Sequence, residues 1–361
     1  MALDISYARG EYTKRVIGAF KDMAQPTLFF KSFFRSQTTE ALAISLEVQR
    51  TGRPIAVDIL RGTEGKITRS DKSTEKLYIP PFFDYKYHLM AMDGYDRLFG
   101  ESNEISGGHW ARIVNKTAQE VAKNVDRINR RYELQCAQAL LDGIVTMKNG
   151  DNIDFKRKSE SLVAYSADIN WADDNVHPGK ILEQGAKFMV TEGLVSPGTM
   201  FNVVMGTNAW NAFRANAKRS KEGDIKDQKF QDLTSPMQFG NGAVVMGRYS
   251  YGAYNFTIWG YEGYYDDPDT GITTPYMDVN SIIMLPNAQD FIFGYGGVPA
   301  MVTVNGERMP STMEGEMVAY RYNDEAKTAA FFGVRSAGMP ILHYVDRVFT
   351  AQVVTGTGGQ G

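Results

Sequence analysis

The stretch LRGTEGKITRSDKSTEKLYIPPF, residues 60–82, decides the fold, because it alternates like a pair of β-strands while it has little to bury. After Leu60, almost its only apolar residues are Ile67, Leu77, Tyr78 and Ile79. An isolated two-stranded hairpin is marginally stable at best in water. We therefore predict a hairpin that turns at residues 70–71 and lies on another copy of the same chain, which supplies the missing apolar face.

Size and composition narrow the classes of protein that the chain can represent. It has 361 residues, of which 43% are hydrophobic and 22% charged, as in ordinary globular proteins. Because a single hydrophobic core usually stops growing once a domain reaches ~250–300 residues, we expect two domains or one domain with long extensions. The net charge of -3 argues against tight wrapping of nucleic acid, which normally requires a basic excess.

The chain lacks the sequence signals of secretion and of membrane insertion. Its single cysteine, Cys136, cannot form an intrachain disulfide, and no apolar run approaches the ~20 residues that span a bilayer. The first residues, MALDISYARGEYTKRV, contain no apolar signal segment. We therefore expect a soluble protein that is intracellular when it is made.

The clearest predicted element is one long amphipathic helix. From His109 to about Gly143, apolar residues recur every three or four positions, and Gly143 is a natural C-terminal stop. At 1.5 Å per residue, such a helix would be roughly 50 Å long. Six bases lie on its outer face: Arg112, Lys116, Lys123, Arg127, Arg130 and Arg131. We interpret this face as solvated, and the alternative is contact with an acidic neighbouring subunit.

A group of aromatic residues precedes the first strands. Four phenylalanines recur at helical spacing in the segment TLFFKSFFRS: Phe29, Phe30, Phe33 and Phe34. This spacing forms a one-sided apolar anchor. The anchor either belongs to the core or docks an N-terminal arm onto the body or onto a neighbouring subunit, and the sequence leaves both interpretations open.

No catalytic, cofactor-binding or metal site stands out in the sequence. The four histidines lie far apart and none has a partner three or four residues away, whereas zinc and catalytic sites usually cluster their ligands. Cys136 falls on the apolar side of the predicted helix, where we interpret it as core packing. We find neither a phosphate-binding glycine loop nor a nucleophile elbow.

The acidic stretch DDPDTG, residues 266–271, is the strongest chemical candidate. The letters DTG spell the aspartic-protease triplet, but that chemistry needs a second carboxylate that no second triplet supplies. The acids also lack the distant glutamate of an EF-hand. Pro268 and Gly271 between alternating strands fit a hairpin tip better. We predict that Asp267, Asp269 and Gly271 form this tip.

In order and length, these segments resemble the lambda-type phage major capsid proteins (the phage capsid protein E family), which have the Hong Kong 97 fold. The resemblance rests on LFFKSFFRS, on RPIAVDILRGTEGKITRSDKSTEKLYIPPFFDYKYHLM and on the helical RRYELQCAQALLDGIVTM. It continues through NVVMGTNAWNAFRAN, YEGYYDDPDTGITTPYMDVNSIIMLP and RSAGMPILHYVDRVFTAQVV, and so covers nearly the whole chain.

The resemblance implies an α+β protein of five segments. These are residues 1–45 as an N-terminal arm, 46–90 as the extended loop with flanking strands, 91–177 as a peripheral domain, 178–325 as an axial domain, and 326–361 as strands that return to the peripheral domain. The spine helix of the peripheral domain is expected at about 107–145. The DDPDTG tip is expected in the axial domain, which gathers at the fivefold and sixfold axes.

The resemblance also assigns the predicted hairpin of residues 60–82 to the loop that reaches over an adjacent subunit. Nine residues of the loop are expected at this contact: Lys66, Arg69, Asp71, Lys72, Glu75, Lys76, Leu77, Tyr78 and Ile79. The charged residues among them would set the register between partners more than the affinity.

The implied function is that of the major capsid protein of a tailed double-stranded DNA phage, which forms the pentamers and hexamers of an icosahedral shell. The expected partners are a portal, a decoration or cement protein, weakly contacted DNA, and a separate scaffolding protein, because the aromatic anchor begins near the N-terminus. We expect a virion protein assembled in the host cytoplasm, with no cofactor and no enzymatic activity. Two alternatives are an encapsulin-like cargo compartment of the same fold, and a carboxylate-dependent hydrolase that uses Glu262, Asp266, Asp267 or Asp269.

Overall fold

The computed structural model describes residues 28–49, 73–90, 108–147, 152–219, 231–238, 242–287, 291–304, 307–324 and 329–355. Three α-helices lie within these ranges: α1 (Gly108–Leu141), α2 (Pro178–Thr191) and α3 (Thr207–Ala215). The first ten strands are β1 (Phe34–Thr38), β2 (Ile44–Gln49), β3 (Ser73–Tyr78), β4 (Phe82–Met90), β5 (Ile144–Thr146), β6 (Asn152–Asp154), β7 (Leu162–Val163), β8 (Met200–Met205), β9 (Gln231–Gln238) and β10 (Ala243–Tyr251). The others are β11 (Tyr254–Tyr261), β12 (Tyr264–Asp266), β13 (Thr273–Pro275), β14 (Ser281–Pro286), β15 (Phe291–Tyr295), β16 (Val298–Val304), β17 (Glu307–Met313), β18 (Val318–Asp324), β19 (Ala329–Ile341) and β20 (Phe349–Gln352).

A five-stranded sheet packs against the long helix α1. Its strands follow the order β1, β15, β19 and β18, and β4 also pairs with β19. Because β19 is 13 residues long, it pairs with β15 at one end and with β4 and β18 along the rest. On α1, the ring of Tyr132 lies 4.9 Å from that of Phe293 and 5.6 Å from that of Phe83. These edge-on aromatic contacts hold the helix on the sheet.

A seven-stranded sheet carries the other two helices. Its order is β7, β20, β14, β8, β11, β10 and β9. Every residue of β14 is buried, and its side chains alternate between two cores. Ile283 and Leu285 belong to the core that contains α1, whereas Ile282 and Met284 belong to the core of α2 and α3. Because both faces of β14 are covered, its residues 282–286, IIMLP, form a continuous apolar run instead of alternating.

The long helix ends where the sequence predicts. Its bounds, Gly108–Leu141, lie within the expected 107–145. Gly143 adopts a φ of +73°, and its N–H donates to the carbonyl of Gln138 at 3.2 Å. A Cβ at this position would also come within 2.6 Å of Cδ of Arg157. Both the backbone conformation and the neighbouring side chain therefore favour glycine here.

The strand pairing corrects the expected division of the chain. β15 and β18 fall in residues 178–325, the expected axial domain, yet both pair with β19 in the sheet beside α1. β7 and β20, expected in the domain of α1, instead pair with each other in the seven-stranded sheet. The chain crosses from one sheet to the other after β14 and crosses back after β19. A division into consecutive segments cannot represent these crossings.

The aromatic anchor lies in the core of its own chain. All four of its phenylalanines are buried there: Phe29, Phe30, Phe33 and Phe34. The ring of Phe29 stacks on that of Tyr261 at 5.0 Å, and the strand that follows, β1, runs parallel to β15. Residues 28–38 thus belong to the body, which corrects the expected arm of residues 1–45 over this stretch. Residues 1–27 of that arm lie outside the described residues.

Candidate functional site

The expected contact loop contains a hairpin of β2 and β3. Its register runs from Ile44 opposite Tyr78 to Gln49 opposite Ser73. The predicted turn at residues 70–71 lies outside the described residues, whereas the described partner of β3 is β2, which precedes the segment expected to pair with it. The sequence of β2, ISLEVQ, alternates apolar and polar residues and contains no glycine, so it is a better strand than the glycine-containing segment first expected to pair.

The structure describes the side chains of only some of the nine residues expected at the contact. Four lie outside the described residues: Lys66, Arg69, Asp71 and Lys72. For Glu75 and Lys76, which lie in β3, only the backbone is described. The geometry of the site is therefore that of Leu77, Tyr78 and Ile79.

The end of β3 exposes two apolar side chains on either side of a packed one. Leu77 is 65% exposed and Ile79 is 69% exposed. Between them, Tyr78 packs on the core, with its ring 6.0 Å from that of Phe155. Ile44, which lies opposite Tyr78, packs on the same core. The base of the hairpin is thus anchored, while Leu77 and Ile79 have no apolar cover within the described part of the chain.

A pair of glycines lets the base of this hairpin lie close to the body. The N–H of Gly297 donates to the carbonyl of Ala41 at 2.8 Å, and the N–H of Gly296 donates to that of Ala337 at 2.8 Å. A Cβ on Gly296 would come within 3.0 Å of Cγ of Pro80. The two ends of the hairpin segment, at Ala41 and Pro80, therefore meet the body at one point.

A buried carboxylate ties the aromatic anchor to α1. Oε1 of Glu133 accepts hydrogen bonds from the N–H of Phe30 at 2.7 Å and from the hydroxyl of Tyr261 at 3.0 Å. Oε2 accepts one from the N–H of Lys31 at 3.0 Å. Burial raises the pKa of Glu133, although these hydrogen bonds oppose the rise. Sequence reasoning missed this residue, and the available signal was a glutamate inside the apolar repeat of the helix.

Lys31 adds a second attachment at the same place. Its Nζ lies 5.5 Å from the ring centroid of Tyr132, 5.3 Å from that of Phe293 and 5.5 Å from that of Tyr295. An ammonium held over aromatic rings is stabilised by their negative faces. Burial lowers the pKa of Lys31, and the negative charge of Glu316 is the largest opposing effect. Lys31 therefore helps to hold the first described residues against α1 and β15.

The basic face of α1 is partly exposed. Lys123, Arg127 and Arg130 are exposed, whereas Lys116 and Arg131 are half-buried. The side chain of Arg112 is not described. Lys123 pairs with Glu120 of the same helix at 2.6 Å. Arg127 donates to Oδ1 of Asn124 at 3.0 Å. A solvated face fits these local contacts, and contact with a neighbouring subunit stays a prediction.

The DDPDTG stretch forms the turn between β12 and β13. Oδ1 of Asp267 accepts hydrogen bonds from the N–H groups of Asp269 and Thr270, at 2.8 Å and 3.0 Å. Gly271 adopts a φ of +67°, which favours glycine at this position. The carboxylate of Asp267 is thus used to close a turn, as the hairpin-tip interpretation requires.

This turn lies beside the long helix. Tyr265, at the base of the hairpin, packs on the core that contains α1. Burial lowers the pKa of Arg131 on α1, and Tyr265, Tyr85 and Asp267 oppose the change. Arg131 also donates to the carbonyl of Thr146 at 2.6 Å. These contacts lie within one chain, so the axial position expected for the tip in a ring of subunits stays a prediction.

Reactive side chains are dispersed or buried. The described residues contain no group of three or more His, Cys, Asp or Glu side chains that could hold a metal ion. Cys136 is fully buried, and burial raises the pKa of its thiol. His177 caps α2, where its Nδ1 accepts a hydrogen bond from the N–H of Gly179 at 3.0 Å. No described helix is both long and apolar enough to cross a membrane.

The element order and the hairpin can be compared with known proteins. Residues 13–353 match the family described as phage major capsid protein E. The chain belongs to that family. This capsid protein is therefore a structural component of a phage head, and its family suggests a structural role instead of an enzymatic one. The search of curated proteins found no match.

The search of solved structures found proteins that are similar to this capsid protein. A protein described as the capsid protein of a prophage of E. coli CFT073 superposes with a TM-score of 0.64 at 14% identity, over 95% of this chain and 99% of that one. The mature capsid of bacteriophage PhiM1 gives 0.46 at 12% identity, over 92% and 88%. The SrpI encapsulin of Synechococcus elongatus PCC 7942 gives 0.43 at 10% identity, over 100% and 99%. The fold is of the Hong Kong 97 type, and the family match separates a phage capsid from a cargo compartment.

Proposed function

We propose that the capsid protein closes a shell by laying the hairpin of β2 and β3 on a neighbouring subunit. The observation that carries this proposal is the exposure of Leu77 and Ile79 on a hairpin whose base is anchored through Tyr78. The neighbour supplies the apolar face that the hairpin lacks in its own chain. Removing apolar surface from water stabilises such a contact by about 25 cal/mol per Å².

Contacts of this kind run head to tail around a ring. Each subunit gives its hairpin to the next subunit and receives one from the previous subunit, so the ring closes. Rings of five and six subunits then form the icosahedral head of a tailed double-stranded DNA phage. The charges of residues 66–76 set the register between subunits, and the apolar side chains supply most of the affinity.

Further partners belong to the same proposal. A scaffolding protein guides assembly in the host cytoplasm, a portal occupies one vertex, and a decoration or cement protein binds the finished shell. The packaged DNA is contacted weakly, which the net charge of -3 supports, because a strongly basic chain would bind the genome tightly.

Electron microscopy of particles tests the hairpin directly. The capsid protein, expressed with its scaffolding protein, should form closed particles in negative stain. A variant with Leu77→Asp and Ile79→Asp should remain folded but form no closed particles, because burying two carboxylates without partners is costly.

A conservative variant is the matched control. Leu77→Met with Ile79→Val keeps both side chains apolar, so it should assemble like the wild type. Circular dichroism of all three proteins establishes that the subunits are folded. Closed particles from the aspartate variant at the wild-type yield would rule out the proposed role of the hairpin.

A further inference from the structure

A second hairpin, formed by β16 and β17, also has exposed apolar side chains, as the hairpin of β2 and β3 does. β16 and β17 pair with each other along their seven residues, and no other described strand pairs with either of them. Met309 and Met313 lie four positions apart on β17 and therefore face the same side of the hairpin. They are 49% and 40% exposed. This hairpin thus presents apolar side chains that its own chain, within the described residues, leaves open to solvent.

The base of the second hairpin is packed on the body. Val298, the first residue of β16, is buried in a small cluster with Val318 and Ala337. Just after β17, the carboxylate of Glu314 accepts a hydrogen bond from the hydroxyl of Thr38. The hairpin is therefore anchored at its base, as the hairpin of β2 and β3 is.

The two hairpins share one junction. Gly297, which immediately precedes β16, donates its N–H to Ala41, just before β2. Gly296 lies against Pro80, just after β3. Leu42, which is exposed, lies at the same junction, where its carbonyl is 3.3 Å from the position that a Cβ on Gly296 would take. A subunit that covers the first hairpin is therefore brought close to the base of the second.

We propose that the hairpin of β16 and β17 binds a second copy of this chain through Met309 and Met313. The inference rests on the proposed function, because the first hairpin brings the second copy to the shared junction. The surface at that junction continues from Leu42 to the base of the second hairpin, so its occupant is a neighbouring subunit of the same shell. Methionine suits this contact, since its flexible side chain adapts to the different angles between subunits in rings of five and six.

Methionine oxidation measures this contact in the unmodified protein. Hydrogen peroxide converts an accessible thioether into a sulfoxide, which mass spectrometry of peptides detects. Free subunits are compared with closed particles that contain no other shell protein. The oxidation rates of Met309 and Met313 should fall at least tenfold on assembly. Met205 and Met284, which are buried in the subunit, serve as slow references in both states.

The outcomes separate this inference from the proposed function. Equal oxidation of Met309 and Met313 in free subunits and in intact particles would overturn the inference, while the particles themselves still support assembly. Protection that begins only when a decoration protein is added would assign the surface to that protein and would equally overturn the inference.

A pair of variants gives an independent test. Met309→Lys with Met313→Lys should reduce the yield of closed particles at least tenfold, with an unchanged circular dichroism spectrum. Met309→Leu with Met313→Leu keeps the surface apolar and should assemble as the wild type does. A wild-type yield from the lysine variant, measured beside a failing Leu77→Asp and Ile79→Asp variant, would contradict the second contact and leave the first intact.

Discussion

Glu133 holds the start of the described chain against α1 through three donors. They are the N–H groups of Phe30 and Lys31 and the hydroxyl of Tyr261. A buried donor that loses its acceptor costs about 1–3 kcal/mol. Glu133→Ala should therefore lower the free energy of unfolding by about 3 kcal/mol or more. Glu133→Gln, whose amide oxygen still accepts, should cost less, and urea titration measures both. Equal losses in the two variants would contradict this role.

The same residue predicts a pH dependence. Burial raises the folded-state pKa of Glu133 above its ordinary value of 4.5, so the folded protein binds the proton more tightly than the unfolded chain does. The stabilising contribution of this proton is complete below the unfolded-state pKa and is lost as the pH rises through the folded-state pKa. Relative to Glu133→Gln, the free energy of unfolding of the wild type should fall as the pH rises from about 4.5. A difference that is constant with pH would contradict the raised pKa.

The contacts of Arg157 could not be predicted from the sequence. Its guanidinium is buried and donates to five acceptors at the end of α1 and on neighbouring segments: the carbonyls of Leu140, Leu141, Ser161 and Val348, and the hydroxyl of Thr350. Burial lowers the pKa of Arg157, and Asp142 and Asp346 oppose the change. All of these acceptors except the carbonyl of Ser161 lie at least 16 residues away in the sequence, so the local segment DFKR gives no sign of them.

Among the elements, those with a local cause were predicted best. The long helix follows from its apolar repeat and from Gly143, and the turn at Asp267 follows from proline, glycine and aspartate at close spacing. The partner of β3 was missed, because strand pairing depends on a competition between segments. Ile44, which begins β2, packs on the core, and that tertiary contact is invisible in the alternating pattern alone.

The turn between β12 and β13 provides a prediction about backbone conformation. Gly271→Ala should lower the free energy of unfolding by about 1 kcal/mol, because a side chain disfavours a φ of +67°. Gly315→Ala is the matched control, since the nearest atom to its new Cβ would be Cγ2 of Val318 at 3.5 Å, an ordinary contact. Thermal unfolding of the free subunits compares the two. A larger loss at Gly315 would refute the argument from φ.

For the whole molecule, stability should depend on assembly. A neighbour that binds only the folded subunit raises its apparent stability by mass action. Closed particles should therefore melt at a higher temperature than free wild-type subunits. Free subunits with Leu77→Asp and Ile79→Asp should melt with the free wild type, because both side chains are exposed there. Scanning calorimetry tests both statements, and a clearly less stable aspartate subunit would mean that the hairpin packs on its own chain.

The overall class was predictable from the order and length of the segments, whereas the division between sheets was not. β20 and β7 are far apart in sequence, and each is too short to carry a pattern that specifies its neighbour. β14 belongs to two cores at once, so its apolar run does not indicate which domain it serves. Such assignments depend on contacts between distant segments, which a reading along the chain cannot supply.

Cys136 is the single cysteine of the chain and is fully buried on α1. A maleimide dye added to native subunits should therefore leave the natural thiol unlabelled. One cysteine introduced at the exposed position 196, which lies outside both hairpins, would then be the only attachment point for a fluorophore. Energy transfer between donor-labelled and acceptor-labelled subunits could follow the growth of a shell in real time, without first removing a native residue.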